Sequence, residues 1–184
     1  MDINTAIISR RTIRRFLPKP IEKQTLLDVI ALSRLYASGG NLQPIRFALV
    51  TEQSKRDRLF DTLRWAAYLP GFQINYENRP TAYLVLTSEK NNCQFDLGAA
   101  ATTVMLAAQG RGIGTCCLGS FNANEVSKIL MLQESEKPLL VIALGYPAQE
   151  SKIVDYTSDV KYYEDTEGCL CVPKLSLDDV ITIY

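Results

Sequence analysis

Residues 94–109 carry Phe95, Leu97, Val104, Met105 and Leu106 in positions that leave a helix almost no polar face. A helix apolar nearly all round has to be enclosed by other elements, so this chain must be built about a buried central helix. Its run Gly98-Ala99-Ala100-Ala101 leaves room for another helix to lie close. A second segment, Leu139-Leu140-Val141-Ile142-Ala143-Leu144, is apolar without alternation and predicts a strand covered on both faces.

Other elements are expected around these two. Strands are predicted over Phe47–Thr51, Ala82–Thr87, Thr115–Leu118 and Pro138–Gly145. Helices are predicted over Ile3–Ser9 under an Asp2 cap, over Glu22–Tyr36, from a Ser54/Asp57 capping box to Leu63, after Asn122, and briefly at Leu177–Ile181. Helices separate the strands, so the pattern reads as α/β or α+β with one mixed sheet. No repeat or linker divides the chain, and 184 residues suit one domain over 1–184. Residues 64–80 are irregular and aromatic (Trp65, Tyr68, Phe72, Tyr76), either a lid or a connector packed on the core. Residues 148–184 read as an extended, less regular tail.

Histidine is absent and the formal net charge is zero. Ser-His-Asp and Cys-His catalysis are thereby excluded within the chain, most zinc sites are disfavoured, and no metal is expected. Nothing global points to nucleic acid or to an anionic membrane. Five cysteines, without a C-x-x-C pair or a signal peptide ahead of them, suit reduced thiols in a cytoplasmic protein. The longest apolar runs fall far short of the ~20 residues that span a bilayer.

Against that neutral background, Ser9-Arg10-Arg11-Thr12-Ile13-Arg14-Arg15-Phe16 stands out. Guanidinium forks suit phosphate better than lysine does. If the stretch is extended, Arg10, Thr12 and Arg14 share one face and can converge on an anion. Arg11, Ile13 and Arg15 then take the other, and Arg15 becomes the most expendable of the four arginines. The alternative is a basic strip that is merely solvated. Further on, Ala37-Ser38-Gly39-Gly40-Asn41-Leu42-Gln43-Pro44 is a loop of small and amide residues, in which glycine lets backbone approach a ligand. Gly110-Arg111-Gly112-Ile113-Gly114 ends the central helix, and with cysteine at 117 it is not a G-x-G-x-x-G nucleotide fingerprint.

Taken in order, the arginine stretch, Ser38 with Asn41-Leu42-Gln43-Pro44, Asp96-Leu97-Gly98-Ala99-Ala100 through Gly112 to Ser120, and Ala143-Leu144-Gly145-Tyr146-Pro147 resemble the FMN-dependent nitroreductase-like family from Ile7 to about Pro147. The tail, with Val172-Pro173-Lys174, is similar to a small-protein branch of it. The resemblance implies an α+β fold with a central mixed sheet flanked by helices, in an intertwined homodimer that holds FMN at its interface. It implies that Arg10, Arg11, Thr12 and Arg14 hold the phosphate and the ribityl or pyrimidine side of the flavin. Ser38, Gly39, Asn41 and Gln43 would line the ring from the partner chain. Backbone N–H groups of Leu118 and Gly119 would face the flavin near N5 and O4, and Lys174 would add a phosphate contact. Three positions depart from the family pattern: Ala37 replaces a proline, Gly40 follows Gly39, and Ile45 replaces an aromatic residue.

A flavin needs an anchor for its phosphate, hydrogen bonds along its pyrimidine edge and a donor near N5; it brings the electron chemistry itself. A chain without histidine can therefore still be an enzyme. The implied activity is an oxidoreductase passing electrons from NAD(P)H to a nitroaromatic, quinone or similar conjugated small-molecule acceptor. Three other readings remain at this level: a non-catalytic flavin-binding or storage protein, the same fold used for reductive dehalogenation or flavin cleavage, and an arginine patch that binds phosphopeptides.

Overall fold

A computed structural model describes all of residues 1–184. Four strands, β1 (Arg46–Val50), β2 (Ala82–Ser88), β3 (Gly114–Leu118) and β4 (Lys137–Gly145), form one sheet in the order β1-β2-β4-β3. All three pairings between these four strands are antiparallel. A parallel element comes instead from the arginine stretch. Because β3 lies at the sheet edge, its free backbone groups accept that segment: Thr12 bridges Thr115 in parallel, and the Ile13 N–H donates to the Thr115 carbonyl at 2.9 Å.

The lack of alternation in β2 and β4 has a simple cause, since both faces of the sheet are covered. On one face Leu84, Leu86, Ile142 and Leu144 pack with Leu26 and Val29 of α2 (Lys23–Ser33) and with Ala100 and Val104 of α4 (Gln94–Gln109). On the other, Tyr83, Val85, Val141 and Ala143 pack with Phe16, with Leu59 of α3 (Gln53–Phe60), and with Val126 and Ile129 of α5 (Ala123–Leu130). The central helix is α4, with the bounds read from the sequence, but it is buried along one face only, through Ala100, Ala101, Val104 and Ala108, and Phe95 is exposed, which corrects the expectation of a helix enclosed nearly all round.

Local signals fared unevenly. Asp2 caps α1 (Ile3–Ser9) by accepting from the Thr5 N–H, and Asn122 caps α5 by accepting from the Glu125 N–H. The Ser54/Asp57 capping box is not formed: α3 begins at Gln53, and the Ser54 hydroxyl bonds the Glu52 carboxylate instead. Helix α2 stops at Ser33, short of Tyr36, whose hydroxyl turns to accept the Ile45 N–H at 3.2 Å.

The tail is more ordered than its sequence suggests. Strands β5 (Ser151–Asp155), β6 (Tyr163–Glu164) and β7 (Leu170–Lys174) form a second sheet, β5-β7-β6, parallel on one side of β7 and antiparallel on the other. Asp165 holds its turn together. Its carboxylate accepts from the backbone N–H of Glu167 (3.1 Å) and of Cys169 (2.9 Å) and from Lys152 Nζ (2.9 Å). A last helix, α6 (Leu177–Val180), carries a complete capping box between Ser176 and Asp179. No helix is long and apolar enough to cross a membrane.

Candidate functional site

The arginine stretch runs extended along β3, and its backbone is pinned at several points. Phe16 N–H donates to the Asn78 carbonyl (3.0 Å), Leu17 N–H to Tyr146 (2.8 Å), and Ala148 N–H to Arg15 (3.0 Å). Phe16 and Ile13 sink into the core and press on two glycines. A Cβ on Gly145 would lie 2.7 Å from Phe16 Cδ1, and one on Gly114 would lie 2.9 Å from Ile13 Cβ. Only residues without a Cβ let the stretch lie this close to the sheet.

The four guanidinium groups meet different fates. Arg10 Nη1 lies 3.9 Å from Met105 Sδ on α4 and has no oxygen partner. Arg11 is buried and turns back, donating to the carbonyls of Ile8 (2.6 Å) and Ile7 (3.3 Å) at the end of α1. There it closes a helix C-terminus, where a cation is favoured. Arg14 is buried, and its Nε and Nη1 are sealed from solvent without an acceptor. Arg15 pairs with Glu164 at 2.5 Å and lies 4.7 Å from the centre of the Phe72 ring. It is therefore a docking residue for the tail rather than the most expendable arginine. The Thr12 hydroxyl makes no bond within the chain, so Arg10, Thr12 and Arg14 each carry a donor without an oxygen partner, those of Arg14 being closed off from solvent.

The amide loop is strained. Gly40, Asn41 and Gln43 all have positive φ, at 55°, 54° and 47°, a region that side chains other than Asn and Asp seldom occupy. What holds it is Ser38, whose Oγ donates to Asp96 Oδ1 (2.5 Å) and accepts the Gln43 N–H (2.8 Å). Gln43 Nε2 in turn donates to Asn41 Oδ1 at 3.1 Å. A cavity of about 790 Å³ opens beside the loop, lined by Leu42, Pro44, Arg46, Lys90 and Asp96 among others. None of the N-terminal arginines lines it, so the loop and the arginine stretch do not share this cavity within the chain.

Leu118 is buried at the end of β3, while Gly119 is exposed, with open space where a Cβ would stand. The turn is clamped from the start of the aromatic segment: Leu63 bridges Phe121, Arg64 N–H donates to Ser120, and Asn122 N–H donates to Thr62, each bond 3.0 Å long. Lys174 ends β7 opposite Asp155, exposed and without an ion pair. The structure does not bring it into contact with the arginines.

Sequence reasoning missed a group of residues around Arg14. The Tyr162 ring centre lies 4.2 Å from the Arg14 guanidinium carbon, and Tyr68 backs Tyr162 at 5.2 Å between ring centres. Gln149 Oε1 accepts the Arg14 N–H (3.1 Å), while its Nε2 donates to Glu164 (3.3 Å). The aromatic segment 64–80 and the tail thus meet over the arginine stretch. Nothing in the local sequence Lys161-Tyr162-Tyr163 ties it to a site about 150 positions earlier.

Comparison with known proteins now bears on this arrangement. The family described as "Nitroreductase family" matches residues 7–77 and 83–146, from the arginine stretch to the end of β4. The chain belongs to the nitroreductase family. Among relatives in this family, a putative NADH dehydrogenase/NAD(P)H nitroreductase of Archaeoglobus fulgidus is 26% identical over 169 residues, covering 86% of this chain and 92% of that protein. A nitroreductase family protein of Streptococcus pneumoniae superposes over 100% of both chains at 16% identity with a TM-score of 0.75, so the shared fold extends through the tail. An FMN-dependent nitroreductase of Clostridium difficile R20291 superposes with a TM-score of 0.70 at 19% identity, covering 84% of this chain and 92% of that one.

Proposed function

We propose that this nitroreductase-family protein is an FMN-dependent oxidoreductase that takes electrons from NAD(P)H and delivers them to a nitroaromatic, quinone or similar conjugated acceptor. One observation carries this reading: Arg14 holds two buried N–H-bearing nitrogens with no acceptor, inside the first motif of the family match. A buried cation without a partner is costly, and a phosphate supplies the missing acceptors. Arg10 and the Thr12 hydroxyl, both with unengaged donors, stand on the same extended stretch. The residues present therefore fit a phosphate-bearing ligand.

Bound FMN would supply two-electron chemistry in both directions. The chain's part is binding and orientation. Arg10, Thr12 and Arg14 hold the phosphate, whereas Arg11, engaged at the end of α1, acts by fixing the backbone of the stretch. Asn41 and Gln43 offer donors and acceptors to a pyrimidine edge, and the Gly119 backbone offers an N–H where nothing crowds it. Ser38 shapes the loop, with Gly39 in its first turn. Lys174 is a phosphate contact only if a second protomer or a tail movement carries it there.

Such a site requires two subunits, because the amide loop and the arginines lie apart within one. A homodimer is supported by apolar side chains left exposed on α1 (Ile3, Ile7, Ile8) and along the C-terminal arm (Leu177, Val180, Ile183). Cysteine usage supports a cytoplasmic setting. Residues 64–80, clamped at one end by the 120–122 turn, are proposed as the lid over the acceptor.

The purified protein should be yellow, and its flavin absorption should bleach when NADH or NADPH is added without oxygen. A double Arg10→Ala, Arg14→Ala variant should lose the flavin. A colourless protein that takes up no added FMN overturns the reading; bound flavin that neither nucleotide bleaches leaves a storage role instead.

A further inference from the structure

A cavity of about 780 Å³ opens between the end of α3, the start of α5 and the turn that follows β3. Its wall includes Arg58, Arg64 and Phe121. Arg64 N–H donates to the carbonyl of Ser120, the neighbour of Gly119, and Leu63 bridges Phe121. Arg58 stands in the last turn of α3. Both arginines are exposed, and neither guanidinium pairs with a carboxylate. By contrast, Arg11, Arg46, Arg56 and Arg111 donate to main-chain carbonyls, and Arg15 and Arg79 lie against carboxylates. Of the two carboxylates in the wall, Glu125 is already paired with Lys128 at 2.7 Å, which leaves Asp61 alone against two guanidinium groups. An open cavity with two unengaged forks and a half-buried aromatic ring suits a ligand that joins phosphate to a flat base.

We propose that this cavity takes the phosphate-bearing end of NAD(P)H, with Arg58 and Arg64 gripping a phosphate and Phe121 offering a face to the adenine. The inference rests on the reading of the chain as a flavin oxidoreductase whose ring edge lies at Gly119. Phe121 is two residues beyond Gly119, at most about 7 Å along the chain, so a dinucleotide held here can extend its nicotinamide to the turn. None of the arginines expected to hold FMN lines the cavity, so the nucleotide and the flavin phosphate do not compete for the same cations. A light grip also suits the cycle, in which the spent nucleotide leaves before the acceptor enters, because exposed ion pairs form and break at little cost. The Ser120 bond fixes the Arg64 main chain, so the nucleotide docks at the clamped end of the 64–80 segment.

Isothermal titration of NADP+ and of NAD+ into the purified full-length protein reads the grip without turnover. Arg58→Ala and Arg64→Ala should each weaken nucleotide binding by about threefold to tenfold, between the value of an exposed ion pair and that of a charge-assisted hydrogen bond, and the double variant by more. Arg58→Lys keeps a cation at the end of α3 but not the fork, and should recover only part of the loss. Lys23→Ala removes a charge from the exposed start of α2, on the opposite face of the sheet, and should change nothing. A loss confined to NADP+ assigns the 2′-phosphate to the arginines, and an equal loss for both nucleotides assigns the pyrophosphate. In stopped flow, the double variant should need more NAD(P)H for half-maximal bleaching of the flavin, at an unchanged limiting rate and unchanged FMN affinity. Parent-like affinity for both nucleotides in the double variant overturns the proposal, as do an equal loss in Lys23→Ala, a matching fall in FMN affinity, or a parent protein that binds neither nucleotide. If the chain takes up no FMN yet binds NADP+ through the two arginines, the flavin reading falls and the nucleotide site stands. If FMN binds and the double variant bleaches as the parent does, only the nucleotide site falls.

Discussion

The hydroxyl of Ser38 donates to Asp96 Oδ1 across 2.5 Å, tying the amide loop to the first turn of α4. The same oxygen accepts the Gln43 N–H at 2.8 Å, so one small side chain braces a loop with three positive-φ residues. Ser38→Ala leaves the Asp96 carboxylate and the Gln43 N–H without these partners. Leaving the buried Asp96 carboxylate without this partner costs about 1–3 kcal/mol, whereas the exposed Gln43 N–H can turn to water. Urea unfolding should show a midpoint lowered accordingly with an unchanged slope. A midpoint equal to the parent's would mean that the loop is braced by something else.

Gly145→Ala tests how closely the arginine stretch must lie on the sheet. The new Cβ would fall 2.7–2.9 Å from three Phe16 atoms, and Phe16 is fully buried. Overpacking of this kind costs about 1–3 kcal/mol. Because Phe16 sits two residues from Arg14, flavin affinity should fall along with thermal stability. Unchanged melting and unchanged FMN binding together would show that the stretch can lift without consequence.

Asp165 makes the tail sensitive to acid. Its bond from Lys152, joined by the Cys169 and Glu167 N–H groups, holds the carboxyl down at about 2, against an ordinary value of 3.8. A carboxyl whose folded value is depressed contributes fully above its unfolded value and loses that contribution as pH falls through the folded one. Tail stability should therefore decline between about pH 4 and pH 2. Near-ultraviolet circular dichroism of the tyrosines should report the change, and Asp165→Asn should show a weakened tail with no step in that window. An identical acid titration in both proteins would remove Asp165 from the account.

The adjacent cysteines of β3 should be chemically quiet. Burial pushes the Cys116 thiol up to about 12 and the Cys117 thiol up to about 11, with Arg14 and Arg10 respectively pulling weakly the other way. Only the thiolate attacks an alkylating agent. Iodoacetamide at pH 8 should leave both unmodified in the native protein and modify both in denaturant, as peptide mass mapping would show. Rapid native alkylation of either one would mean that β3 is open at its edge, without the arginine stretch lying over it.

How much of this was legible in the sequence depends on the range of the interaction. The central helix at 94–109 and the doubly covered strand at 139–144 follow from their apolar runs, although the helix buries one face only and leaves Phe95 exposed. The Asp2 and Asn122 caps follow from bonds spanning three residues. The order of the motifs was enough to mark the family, because each motif is a short run of neighbours. Where two local solutions competed, as with Ser54 and Glu52 at the start of α3, the pattern alone chose wrongly.

Tertiary structure decided the rest. It made the central sheet antiparallel, and it ordered a tail whose strands are two to five residues long and carry no strong pattern. It also separated four similar arginines into one against α4, one closing α1, one under Tyr162 and one paired with Glu164. Side-chain alternation could divide them between two faces, but it could not name their neighbours. Those neighbours lie as far away as the 149 positions between Arg15 and Glu164. Contacts at that separation leave no periodic trace, and they form only where the packing of the sheet and tail brings the segments together.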